Sequence, residues 1–252
     1  MFRNLLFLLF LTTIVATSCV DLEENDTPEL EDILVRDGEI EKINTGPGDK
    51  TVSIGLTGDL QLNVRIHFPQ NLQNAPLILG LHWEGDNQAY EAYADCHVID
   101  GFSHTDAIIV APSISGGIWW EPRTETLILD MLDKMITSWG IDKNKVALTG
   151  YSNGAAAVWL YAAAHPDIFS AAIPVGGTYA QDAAFQIPLY VIHSLDDETY
   201  PYEGVQNVVN GSINRGSEIK LVLVSGLSHV EGCNYSPFLK EAGNWLLDEI
   251  WN

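Results

Sequence analysis

The feature that most constrains this chain is a five-residue turn, Gly150-Tyr151-Ser152-Asn153-Gly154, set between an apolar run and an alanine-rich one. Lys145–Leu148 reads as a buried strand, and Gly154–His165 as a helix stopped by Pro166. A serine on a sharp strand-to-helix turn sits in a strained backbone conformation. Bulk on either side of it would strike the strand or the helix, so both flanks must be glycine. The turn also aims a helix N-terminus, with free N–H groups and partial positive charge, at whatever the serine touches.

The rest of the chain repeats the same alternation. Thr51–Leu56 and Leu60–Phe68 read as a hairpin joined at Gly58-Asp59. Pro76–Leu81, Ala107–Ala111, Phe169–Val175, Pro188–Ile192 and Lys220–Val224 are further apolar or β-branched runs. Between them, Thr124–Trp139 has apolar residues at helical spacing and ends at Gly140, and helical stretches follow near Glu203–Val209 and Pro237–Trp251. Strands alternating with helices predict an α/β fold: a mostly parallel, twisted sheet with helices on both faces. No inserted segment is long enough for a large cap domain.

The strand, the turn through Ala155 and the alanine-rich helix ending at His165-Pro166 resemble the phospholipase/carboxylesterase branch of the α/β-hydrolase superfamily. They are similar also to polysaccharide-active esterases of the feruloyl and acetylxylan types. The resemblance spans roughly residues 50–250. It implies a nucleophile, an acid and a histidine in that chain order. Ser152 is the nucleophile. The acid falls after the strand that ends at His193, where Asp197 fits the offsets from His193 and from Pro201; Asp196 and Glu198 are alternatives. His229 follows the last strand and is the base. A serine hydroxyl attacks at neutral pH only if a base takes its proton; the acid then holds the imidazole tautomer. His193 is read as a support for the acid loop, His165 as a favourable charge at a helix C-terminus, and His67, His97 and His104 as surface or packing residues.

Two N–H donors must await the developing oxyanion. The resemblance assigns one to the backbone of Asn153 and the other to the loop after the strand Leu77–Leu81. Relatives read His-Gly there, whereas this chain reads His82-Trp83-Glu84-Gly85. Trp83 is taken as the second donor, with Glu84 as the alternative; a tryptophan and a carboxylate are unusual beside a developing anion. Trp119 and Trp120 lie in a loop expected to line the ligand crevice and could stack on a sugar or an aromatic acyl group, with one of the two available to fill the core instead. Tyr151 and Tyr200 are further candidates for the pocket wall.

The N-terminus reads as an export signal. Arg3 precedes an apolar run, Leu5–Val15, too short to span a bilayer comfortably, and Ala16-Thr17-Ser18-Cys19 resembles the lipobox of bacterial lipoproteins. The expected organisation is a signal peptide over 1–18, lipidation at Cys19, an acidic flexible tether over 19–45 and a hydrolase domain over 46–252. An ordinary secretory signal or an uncleaved anchor would read similarly. Residues 21–42 hold ten acidic side chains against Arg36 and Lys42, and the chain carries a formal net charge of −22. Such a chain repels phosphates, so nucleic acid is not an expected partner. Cys96 and Cys233 are an even pair in an exported chain and suggest a disulfide, or else two buried thiols. No cysteine has metal-ligand spacing, and neither metal nor organic cofactor is implied.

The predicted activity is carboxylic ester hydrolysis through an acyl-enzyme, on a small-molecule or glycan ester, at a membrane through the lipid anchor. A serine peptidase or lipase of the same fold, or a non-catalytic surface protein holding a glycan, are the alternatives.

Overall fold

Burial patterns along the strands explain how the sheet is layered. In the computed structural model, residues 32–86, 88–114, 118–179 and 181–252 are described. The expected signal segment, Cys19 and the first part of the tether lie outside them. Eight strands are present: β1 (Gly48–Gly55), β2 (Gln61–Phe68), β3 (Leu77–Leu81), β4 (Ile108–Pro112), β5 (Val146–Tyr151), β6 (Ala171–Val175), β7 (Leu189–Ser194) and β8 (Ile219–Val224). They form one sheet in the order β1-β2-β4-β3-β5-β6-β7-β8. β1, β2 and β4 pair antiparallel, and every pair from β4 to β8 is parallel. β3 to β7 are buried at every position, as parallel strands covered on both faces must be. β2 instead alternates, burying Leu62, Val64, Ile66 and Phe68 while the residues between them stay wetter.

The two faces carry separate cores. One packs α3 (Pro122–Trp139), α4 (Asn153–Ala164) and α5 (Tyr202–Asn214) on Leu77, Leu79, Leu81, Ile108 and Val110. The other packs α1 (Ala89–Tyr93), α2 (Asp100–Phe102) and α6 (Ser236–Trp245) on Ile78, Ile109, Ala147 and Ile173. Neighbouring strand residues thus face opposite cores. α3 ends where Gly140 turns left-handed at φ 65° and its N–H returns to Ile136 O. No further domain is inserted among the described residues.

Two features depart from the sequence expectation. Residues 89–105 form a nearly continuous helical stretch, with a π-type turn at Ala94–Ile99 between α1 and α2. Its buried face is regular, but it includes His97, Gly101 and Thr105, so hydrophobicity alone does not reveal it. The second departure corrects the domain boundary. The compact unit includes residues from Asp32 onward, within the stretch expected as a free tether up to residue 45. Val35 and Ile40 are buried in the core, the Val35 N–H donates to Asp130 Oδ2 at 2.8 Å, and the Lys134 ammonium donates to Val35 O at 2.6 Å. Ile33 and Ile43 pack against the same core, so this acidic segment is docked on α3 by apolar residues as well as by these bonds.

Candidate active site

The register of β3 against β5 pairs Leu81 with Gly150, so the loop after β3 and the turn after β5 emerge side by side. At that turn Ser152 has φ 57° and ψ −118°, a conformation costing about 1 to 3 kcal/mol for a residue with a side chain. The surroundings force it. A Cβ on Gly154 would lie 1.9 Å from Leu81 O, and one on Gly150 would lie 2.5 Å from the Gly154 carbonyl carbon. Gly177, after β6, closes the other side: its Cβ would stand 2.6 Å from Ser152 O. The Ser152 N–H donates to Val175 O at 3.2 Å, and Ser152 O accepts from Ala156 N–H at 3.0 Å. The main chain of the serine is therefore held by backbone contacts.

The three residues singled out by sequence form one hydrogen-bonded chain. Ser152 Oγ lies 2.8 Å from His229 Nε2, and His229 Nδ1 lies 2.9 Å from Asp197 Oδ2. The carboxylate accepts the Nδ1 proton, which leaves Nε2 as the acceptor for the serine hydroxyl. Asp197 Oδ1 takes two backbone N–H bonds, from Thr199 at 2.9 Å and Tyr200 at 2.8 Å. Burial works against its ionisation, but the bonds from His229, Tyr200 and Thr199 outweigh it and hold the carboxyl below the usual range. The neighbouring carboxylates do other work. Asp196 accepts from Gly226 N–H at 2.6 Å, and Glu198 accepts from His229 N–H at 3.0 Å. His193 Nε2 bonds Tyr200 O at 2.8 Å, which supports the acid loop.

The loop carrying His229 is tied down by side chains. Tyr151 stacks on the imidazole with ring centroids 5.5 Å apart and donates its hydroxyl to His229 O at 2.6 Å. Cys96 and Cys233 are disulfide-bonded, Cα to Cα 5.1 Å, joining this loop to the π-type turn. His97 was read as a surface or packing residue. It is fully buried, and its Nδ1 donates to Gly232 O at 2.7 Å. Burial pushes its pKa down to about 4, so it is neutral. Only its distance in sequence from Gly232 hid this tie.

Over Ser152 lies a cleft of about 490 Å³ walled by Trp83, Glu84, Tyr151, Tyr200, Val230 and Gly232. Trp83 packs edge-on to Tyr93 and Tyr151. Glu84 sits at the rim, where its carboxylate accepts from the Asn153 side-chain amide at 3.3 Å. Val230 is 86% exposed there. Among the described residues, the backbone N–H groups of Trp83, Glu84 and Asn153 donate to no protein acceptor.

Two expected pocket residues are elsewhere. Trp119 is completely buried, with its indole N–H donating to His82 O at 2.9 Å. Trp120 is 43% exposed but lines a separate groove with Glu125, Leu160, Tyr161, Ala164 and Tyr179. Neither residue lines the Ser152 cleft; Trp119 belongs to the core on the α4 face of the sheet.

A mostly parallel sheet, helices on both faces, and a strained serine at the strand-to-helix turn beside a histidine–carboxylate pair define an α/β-hydrolase. Residues 111–238, just over half the chain, match the dienelactone hydrolase family, and the chain belongs to it. It is similar to acetylxylan esterase A of Aspergillus awamori, 28% identical over 159 residues, which cover 58% of this chain and 49% of that protein. It is also similar to poly(3-hydroxyalkanoate) depolymerase C of Paucimonas lemoignei, 33% identical over 126 residues, covering 44% of this chain and 30% of that one. The chain thus spans half or less of the length of these curated relatives. Among solved structures, Est1E from Butyrivibrio proteoclasticus superimposes with a TM-score of 0.62 at 17% identity, covering 81% of this chain and all of that one.

Proposed function

We propose that this chain is a serine carboxylic ester hydrolase that works through an acyl-enzyme and removes acyl groups from polysaccharides. The hydrogen-bonded run Ser152–His229–Asp197 at the floor of an open cleft carries this reading. Ser152 Oγ attacks the ester carbonyl carbon as its proton passes to His229 Nε2. Asp197 stabilises the imidazolium, and the N–H groups of Asn153 and Trp83 receive the negative oxygen. The carbon–oxygen bond to the alcohol breaks, and the alcohol leaves with the proton from His229. Water then attacks the acyl-enzyme, again giving its proton to His229. The acid departs and the proton returns to Ser152. The polysaccharide part of the reading rests on the similarity to acetylxylan esterases, and the aromatic walls Trp83, Tyr151 and Tyr200 suit a neutral, flat-sided substrate.

The test is hydrolysis of p-nitrophenyl acetate and of acetylated xylan by the chain from Asp32, beside its Ser152→Ala variant. The parent hydrolyses both, and the variant loses about 10⁴-fold or more in kcat. Equal rates in the two proteins sink the reading; p-nitrophenyl activity with acetylated xylan untouched removes only the polysaccharide. We propose further that Cys19 carries a lipid that tethers the exported protein to a membrane, by the lipobox-like Ala16–Cys19 run. Detergent-phase partitioning of the expressed full chain, abolished by Cys19→Ala, tests this.

A further inference from the structure

The loop that faces Ser152 carries a tryptophan and a carboxylate, Trp83 and Glu84, so what fixes its backbone matters. A trans peptide points its N–H opposite its carbonyl, and no described peptide bond is cis. The His82–Trp83 peptide has its carbonyl held by the buried Trp119 indole, Nε1 to O 2.9 Å. That carbonyl lies on the α4 side, where a Cβ on Gly154 would come within 2.9 Å of it. The next peptide, Trp83–Glu84, has its carbonyl held by His82 itself, Nδ1 to Trp83 O 2.5 Å.

The direction of this second bond is determined. His82 Nε2 accepts from the Ile114 N–H at 3.1 Å, so the imidazole proton is on Nδ1 and donates to Trp83 O. His82 is 1% exposed and burial lowers its pKa, which keeps it in this neutral form. The two rings brace one another edge to face, centroids 4.9 Å apart, and Tyr161 anchors Trp119 by donating to its carbonyl at 2.8 Å. Two successive carbonyls are thus turned toward buried donors. Two successive N–H groups, those of Trp83 and Glu84, are turned away from them, in the loop that walls the Ser152 cleft and with no protein acceptor among the described residues.

We infer that His82 and Trp119 are positioning residues that aim the backbone N–H groups of the Trp83-Glu84 loop at the oxygen of the tetrahedral intermediate. This rests on the acyl-enzyme reading above. It also accounts for how a tryptophan can stand at the position next to His82: the backbone, not the side chain, is held in place. Neither residue touches the substrate. Their effect falls on the transition state, where a donor misplaced by about 1 Å costs on the order of 100-fold.

The experiment replaces Trp119 by its benzothienyl analogue, which keeps the shape and deletes the N–H. A second pair of variants is His82→Leu, which removes the donor to Trp83 O, and His82→Asn, which keeps a donor near Nδ1. The substrate is p-nitrophenyl acetate, and a phenylboronic acid serves as the tetrahedral mimic. In the analogue and in His82→Leu, kcat falls about 10- to 100-fold with KM little changed, and boronate affinity falls in parallel; His82→Asn recovers most of both. Unchanged kcat in the analogue and in His82→Leu overturns the inference while the parent's loss of activity on Ser152→Ala upholds the reading beneath it. A rise in KM with kcat retained overturns it as well, by showing a packing role. A parent indifferent to Ser152→Ala removes both.

Discussion

The nucleophile turn and the histidine loop meet at a 2.8 Å hydrogen bond, yet they are held by opposite means. At Ser152 the neighbours are backbone: Leu81 O, Val175 O and three glycines that leave no room for a Cβ. At His229 they are side chains: the Tyr151 hydroxyl, the Glu198 carboxylate, His97 beneath Gly232, and a disulfide. A site held by backbone fails as a whole when any flank gains an atom. A site held by several side chains loosens by steps. Precision at Ser152 is therefore bought with strain, and precision at His229 comes from redundancy.

The comparison breaks most sharply at Gly154. Alanine there would place a methyl carbon 1.9 Å from Leu81 O, a backbone atom that cannot swing aside. Stability should drop by about 4 kcal/mol or more in urea denaturation, with ester hydrolysis undetectable. A folded, active Gly154→Ala protein would show that the turn can relax, and would end the contrast. On the other side, changing both Cys96 and Cys233 to alanine removes one tie of several. The bridge spans 137 residues of sequence, so the variant should lose about 2 to 4 kcal/mol in the same assay. Because the Tyr151, Glu198 and His97 ties remain, kcat at low temperature should stay within about tenfold of the parent. A folded double variant with no turnover would show that the disulfide alone places His229.

The smallest effect is on pH dependence. His97 has an ordinary pKa of 6.5 and burial takes it to about 4. As pH falls from 6.5 to 4 the unfolded chain binds a proton there that the folded chain refuses, so stability falls with pH across that window. The loss is at most about 3 kcal/mol. His97→Gln removes this contribution, and the fall in melting temperature between those pH values should become shallower. His82 and His193 are also lowered by burial and act in the same direction, so the slope shrinks without vanishing. An unchanged slope would mean that His97 takes up its proton as readily in the folded protein as in the unfolded chain.

The same contrast explains what could be read from sequence. The turn at Ser152 was legible because its requirements are local: a strand, two flanking glycines and a helix within about twenty residues. The strands were legible because parallel strands covered on both faces are continuously apolar. Asp197 and His229 could be placed only by offsets taken from a resemblance, since nothing local separates Asp197 from Asp196 or Glu198. The ties that hold them were not legible. His97 reaches Gly232 across 135 residues and Trp119 reaches His82 across 37, and no periodicity encodes such pairings. Which of Trp119 and Trp120 fills the core was not legible for the same reason. An aromatic pair in a loop after a strand looks alike whether it faces a ligand or the core. The docking of Val35 and Ile40 was masked by their acidic neighbours.

Val230 stands at the mouth of the cleft with 86% of its surface in solvent. It contributes almost nothing to packing, so selection for stability barely constrains it. The position one residue from His229 therefore tolerates change, whereas the glycines flanking Ser152 have no room for a Cβ. Substitutions at that gatepost can reshape the mouth of the cleft without disturbing the packing beneath it.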